Sequence, residues 1–189
     1  MLVLCEAKGI WEGIQGTPEV RYRSTSLQFT TQPWRLALSD NEPWLDLHPH
    51  PSRAGVWYFL MASGAMAMAE SRSPIIRVLH QPPDLGFAAD AETSFCVSPC
   101  GRFAAIFEAS GPNACVLEIQ SGRVTMRVSR GDYHPENSCF PIVFFIHDGR
   151  TLLVAATDWN RLDVFDPNDG RILTNRAPTT YSNGEVRPS

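Results

Sequence analysis

The sequence predicts an all-β chain built from tandem four-stranded antiparallel units. Three observations carry that expectation. Short apolar runs and turns recur with a period of 48 residues. Glycines recur at the matched turns. The 15 prolines and 13 glycines are spread along the chain rather than clustered, which suits many short strands better than long helices.

The repeat is clearest in the second half. Gly101-Arg102 returns as Gly149-Arg150, and Gly122-Arg123 as Gly170-Arg171, each 48 positions on. Val116 matches Val164 and Tyr133 matches Tyr181 at the same offset. Between the turns lie matched strands. Without a gap, Phe103–Phe107 aligns with Thr151–Ala155, Cys115–Ile119 with Asp163–Pro167, and Val124–Val128 with Ile172–Arg176. Ser94–Val97 and Ile142–Ile146 precede the Gly-Arg turns and complete four strands per unit. The turn glycines stand where hairpins need a positive φ, which glycine adopts without a Cβ penalty. Further back, Val56–Met61 falls at a second-strand place and Ile75–Leu79 at a fourth-strand place. The expected units are therefore about 45–92, 93–140 and 141–188, tandem over 45–189. Residues 1–44 equal roughly one more repeat in length but match poorly, and are read as a poorly defined N-terminal repeat or extension. Within them only Leu27–Phe29 is placed, as a last strand.

Ser98-Pro-Cys-Gly-Arg102 is similar to the Ser-Pro-Asp-Gly-Arg turn of WD-repeat blades, and Phe165-Asp166 and Leu117-Glu118 stand where the Trp-Asp dipeptide would stand. On these residues the chain resembles a divergent, bacterial, WD-repeat-like β-propeller. It departs from that pattern in lacking the Gly-His dipeptide and the tryptophan. The resemblance implies a partial or small β-propeller of four-stranded blades. Propellers close with about 4–8 blades, so an incomplete ring, self-association to complete it, and a small four-bladed ring are all open expectations.

Composition narrows the function classes. With 16 basic and 20 acidic residues the formal charge is −4, and the closest approach to a basic cluster is Arg21 and Arg23. A nucleic-acid partner is not expected. No apolar run reaches the ~18 residues of a membrane span. Met1–Cys5 resembles a lipoprotein box without its charged region and long apolar stretch, and is read as a short strand. Five cysteines without a Cys-x-x-Cys pair form neither a disulfide framework nor a zinc site. They are expected as buried or semi-buried free thiols, with a cytoplasmic location.

In a propeller the interblade loops and the turns between second and third strands share one rim, where partners commonly bind. The loop Arg130–Asn137 contributes Tyr133, His134 and Glu136, and the turn 158–161 contributes Trp159, Asn160 and Arg161. Tyr181 repeats Tyr133 and joins this set, with a structural role favoured for the tyrosine pair. A tryptophan beside an arginine is the composition of an interface hot spot. The remaining motifs are weaker. Asp166–Gly170 has its glycine one place too early for a calcium loop and reads as a hairpin turn. His48-Pro-His50 has no third ligand nearby, and nothing forces Ser98, His147 and Asp148 together. Gly9–Gly16 lacks the lysine and strand–helix context of a phosphate loop. No catalytic, cofactor or metal residues are assigned. The expected function is a noncatalytic interaction scaffold for a protein partner. A ligand-binding or enzymatic propeller, or a truncated fragment of a longer propeller without independent function, are the alternatives.

Overall fold

The computed structural model describes the backbone of residues 2–6, 9–13, 19–24, 34–37, 42–70, 76–108, 111–131, 143–147, 149–158, 161–176, 181–182 and 185–186. It describes side chains over 42–70, 76–108, 111–131, 143–147, 149–156 and 162–173. Its described elements are all strands.

The first four strands are β1 (Leu2–Glu6), β2 (Gly9–Gly13), β3 (Glu19–Ser24) and β4 (Trp34–Ala37), paired in sequence order as one antiparallel sheet. The second sheet holds β5 (Trp44–Pro49), β6 (Val56–Met61), β7 (Met66–Glu70) and β8 (Ile76–Val78). The third holds β9 (Thr93–Val97), β10 (Phe103–Glu108), β11 (Asn113–Glu118) and β12 (Val124–Ser129). The fourth holds β13 (Val143–His147), β14 (Thr151–Asp158), β15 (Arg161–Phe165) and β16 (Ile172–Arg176). A two-stranded pair, β17 (Tyr181–Ser182) and β18 (Glu185–Val186), follows. Each four-stranded sheet is an up-and-down meander, the shape of a propeller blade.

Residues 1–44 thus contain a full meander where the sequence placed only Leu27–Phe29, a segment outside the described residues. The sequence between these strands lacks the Gly-Arg pair of the later blades, so the 48-residue period does not reveal them.

Sheets stack face against face. One core lies between the second and third sheets, where Tyr58, Leu60 and Met66 meet Phe95, Ile106 and Leu117. A second lies between the third and fourth, where Phe103, Ala105 and Val116 meet Leu153, Ala155 and Phe165. The far face of the second sheet is also apolar and buried, with Trp44, Trp57 and Phe59. All six residues of β6 are buried, because both faces of its sheet are covered. The first strands of successive sheets, β5, β9 and β13, run beside one another and form the inner wall. Asp46 on β5 ties this wall together: its carboxylate accepts hydrogen bonds from the Ser94 hydroxyl and the Phe95 amide on β9.

The gap-free alignment needs one correction. Cys96 pairs with Ala105, whereas Phe144, 48 residues after Cys96, pairs with Val154, 49 residues after Ala105. The third strand returns to a 48-residue offset, Ala105 facing Val116 and Val154 facing Val164. The second strand of the last blade is therefore shifted by one. Phe103–Phe107 is not the structural counterpart of Thr151–Ala155; Ala105 corresponds to Val154 rather than Leu153. Side chains alternate along a strand, so a one-residue slip reverses its faces. Ala105 and Leu153 accordingly meet across one interface from opposite sheets.

The recurring Gly-Arg turns have a shared cause. Arg102 Nε lies 2.9 Å from Glu118 Oε1, and Arg150 Nη1 lies 3.9 Å from Asp166 Oδ2. In the second sheet Arg53 Nη2 lies 3.2 Å from Glu70 Oε1. Each arginine comes from the turn after a first strand, and each acid from the end of a third strand in the same blade. The three pairs are exposed, worth at most about 1 kcal/mol each, and serve mainly to hold turn geometry. Arg102 also lies over the Phe103 ring, 4.8 Å from its centroid.

Gly122 shows why its hairpin keeps glycine. Its φ is +68°, and a Cβ there would fall 2.4 Å from His80 Nδ1 of the preceding blade. Substitution Gly122→Ala is expected to destabilise the chain by about 1–3 kcal/mol through left-handed strain alone. The denaturant midpoint would drop with little change in slope.

Acid should weaken the same hairpins. A hydrogen bond from Ser121, and then one from Arg102, hold the Glu118 carboxyl below its usual range. The Asn168 backbone amide and side chain, with Arg150 further off, do so for Asp166. A depressed folded-state pKa contributes stability above the unfolded value of about 4, and that contribution is lost as pH falls through the folded value. The melting temperature of the wild-type chain should fall below about pH 4 more steeply than that of a Glu118→Gln/Asp166→Asn variant.

Candidate functional site

Antiparallel register assigns the loops to two ends. Asn113 opens the third strand and pairs with Ser129, which closes the fourth; Leu162 pairs with Arg176 in the same way. Interblade loops and second-to-third-strand turns therefore lie at one end of the sheets, and first-to-second-strand turns at the other.

The sequence-predicted rim belongs to the first end. Asp158 pairs with Arg161, so Trp159 and Asn160 join β14 to β15 as a two-residue connection. Tyr133, His134, Glu136, Trp159 and Asn160 themselves lie outside the described residues. Arg161 opens β15 and Tyr181 opens β17, pairing with Val186. The side chains of Arg161 and Tyr181 are outside the described ones.

The opposite end is described in more detail. Ser98 is fully buried, and its hydroxyl accepts a hydrogen bond from the Phe103 amide at 2.9 Å. The Gly101 amide donates to the Ser98 carbonyl at 2.8 Å, which closes the turn. This explains the serine and the glycine of the Ser-Pro-x-Gly-Arg motif. Cys100 occupies the variable place. Its sulfur accepts from Thr151 Oγ1 of the next blade at 3.2 Å and lies 3.3 Å from Ser98 Oγ. Partial burial pushes the thiol up, but the hydrogen bonds with Ser98 and Thr151 outweigh it and leave the pKa below the ordinary thiol value.

On the preceding blade His50 stacks on Tyr58, with ring centroids 5.4 Å apart and planes at 27°. Tyr58 Oη donates to the Gly101 carbonyl at 3.4 Å. A Cβ on Gly101 would lie 2.9 Å from His50 Cε1, so this turn is wedged against the neighbouring blade. Burial, and then the Arg53 charge, lower the His50 pKa and favour a neutral ring. His48 instead packs against Phe95, with centroids 5.9 Å apart, so the two histidines serve separate contacts.

The expectation of buried or semi-buried thiols holds for buried Cys115 and half-buried Cys96, and fails for Cys100, which is exposed. Cys96 and Cys115 lie within strands, where burial pushes them up to about 11 and about 12. Cys100 is lifted out by its turn.

The segment Asp166–Gly170 is a hairpin turn. The Gly170 amide donates to the Asp166 carbonyl at 2.8 Å, and the Asn168 amide to Asp166 Oδ1 at 3.0 Å. Among the described residues no group of three or more His, Cys, Asp or Glu side chains is arranged to hold a metal ion. No described helix is long and apolar enough to cross a membrane.

Thiolate is the reactive form of cysteine. Of the three described thiols, Cys100 should be labelled first by a maleimide, read by peptide mass mapping. Cys96 and Cys115 should react only on unfolding. Replacing Thr151 by Val should move the pH midpoint of Cys100 labelling upward.

No protein-family model matches the chain, and no curated protein matches it in sequence. Solved structures do match. BamB from Moraxella catarrhalis superposes with a TM-score of 0.58 at 15% identity, covering 97% of this chain and 50% of that one. Hsv2 from Kluyvelomyces marxianus superposes with a TM-score of 0.52 at 10% identity, covering 100% of this chain and 52% of that one. The chain spans about half the length of these solved structures. Both are β-propellers, and at such identities the likeness shows the fold alone: this chain has the architecture of a partial or small β-propeller, with four-stranded antiparallel blades on a 48-residue repeat.

Proposed function

We propose that the chain is a noncatalytic propeller scaffold that takes a protein partner on the rim formed by its interblade loops and second-to-third-strand turns. The observation that carries this reading is the register. It brings the start of the third strand and the end of the fourth to one end of each sheet. The connections bearing Tyr133, His134 and Glu136 and those bearing Trp159 and Asn160 leave from that common end. The Trp159–Asn160 connection adds a large aromatic beside Arg161, the residue types that dominate binding hot spots.

A WD-repeat-like ancestry is part of the reading, supported by the Ser98 hydroxyl bond within Ser98–Arg102 and by the acids Glu70, Glu118 and Asp166 at the ends of the third strands of the second, third and fourth sheets. A reducing, cytoplasmic setting is also part of it, supported by Cys96, Cys100 and Cys115 being free.

The test is photo-crosslinking in cells from residue 159 carrying a photoreactive amino acid, with a second probe on the opposite end at Ser121. A discrete protein adduct is expected at residue 159 and none at Ser121. Trp159→Ala should weaken the captured complex by about tenfold or more, as hot-spot truncations do, with an unchanged melting curve. Adducts from neither position, or equally from both, would defeat the rim assignment.

A further inference from the structure

The fourth sheet presents two unlike faces. One packs on the third sheet. The other carries Phe144, Ile146, Leu152, Val154 and Val164, with Leu162 at the start of β15. Every described side chain on this second face is apolar. Phe144 is 42% exposed and Leu162 41% exposed, Ile146, Leu152 and Val164 are half-buried, and Val154 between them is buried. An outward sheet face normally alternates to polar residues, and contiguous exposed apolar surface marks an interaction site.

The position of this face in the fold identifies its occupant. Phe144, Val154 and Val164 occupy the places of Cys96, Ala105 and Val116, the residues with which the third sheet receives the fourth. In the second sheet the same face receives the third, through Tyr58 and Met68. The open face is thus the continuation of two blade-on-blade interfaces already made in the chain, and it is shaped to receive another blade. The solved propellers that superpose on this chain are about twice its length.

We infer that a second copy of this chain docks on the open face of β13–β16, so that two copies together supply a propeller's worth of blades. The contact is apolar, with Phe144 and Leu162 as its exposed side chains, and it lies on a blade face rather than on the rim proposed for partners. A two-fold pairing, the commonest symmetry of such assemblies, makes the same residues matter on both copies.

The mass of the 189-residue chain in solution tests this, by light scattering after gel filtration and by sedimentation velocity. At about 100 µM chain, a micromolar Kd would leave most chains paired. The expected result is one species of twice the chain mass with a cooperative melt. Phe144→Glu/Leu162→Glu should run at the single-chain mass with its strand signal retained. The milder Phe144→Ala/Leu162→Ala should raise the dissociation constant tenfold or more, should the double charge prevent folding. Val78→Glu, at an exposed apolar residue of another sheet, should leave the dimer intact. A wild-type monomer would overturn the proposal and leave further blades of a longer polypeptide as the occupant. So would polydisperse aggregate, a dimer indifferent to both double variants, or a dimer lost with Val78→Glu. Loss of rim capture with the dimer intact would count against the rim reading alone.

Discussion

A meander of four short strands cannot bury itself. Each blade has two faces and no third layer, so each face is covered only when another sheet lies against it. Everything else in the chain follows from that constraint. The alternating positions of β6 are apolar on both sides because both sides are covered, and Phe59, Leu60 and Met61 are almost wholly withdrawn from solvent. Burial of such side chains is worth about 1.5–3 kcal/mol apiece. That far exceeds the exposed Arg–acid pairs at the turns, so blade-on-blade packing holds the fold and the turns set its spacing.

The spacing elements act between blades as well as within them. Asp46 crosses the inner wall to Ser94 and Phe95. Arg127 reaches back to the Asp84 carbonyl at 2.6 Å and the Leu85 carbonyl at 3.3 Å. His50 lies against Gly101 and His80 against Gly122. These contacts fasten the third blade to the second at the inner strand, the outer strand and the turn end. The Cys100 thiol takes part in the next joint along, between the third and fourth blades, since Thr151 belongs to the fourth.

Much of this was legible in the residues. Gly101, Gly122, Gly149 and Gly170 all adopt positive φ, so the turns that revealed the repeat are the turns the backbone requires. The acids at 118 and 166 stand near the ends of the expected third strands 115–119 and 163–167; in the fold Glu118 closes β11 and Asp166 directly follows β15. Glu70, the third member of that series, was not noticed, because its arginine stands at 53 rather than at the 54 that a strict period demands. Residues 1–44 read only as a poorly defined repeat or extension for a related reason: the segment holds four strands, but the sequence between them lacks the shared Gly-Arg signature. The rim rests on residues whose side chains the structure does not describe, so its chemistry is legible only as composition. The Cys100 site needed coordinates, since periodicity says nothing of which thiol a turn lifts into solvent.

The one-residue offset in β14 bears on how such repeats change over time. A residue gained in the turn before the second strand is offset by one lost in the turn after it, and the third and fourth strands stay in phase. Two length changes that would each invert a strand are silent together. A transplanted blade should therefore be joined within the Gly122 or Gly170 hairpin, where the count is back in step, and not at the more conspicuous Gly-Arg turn, where grafting one blade's first strand onto another's second would turn a core face toward water.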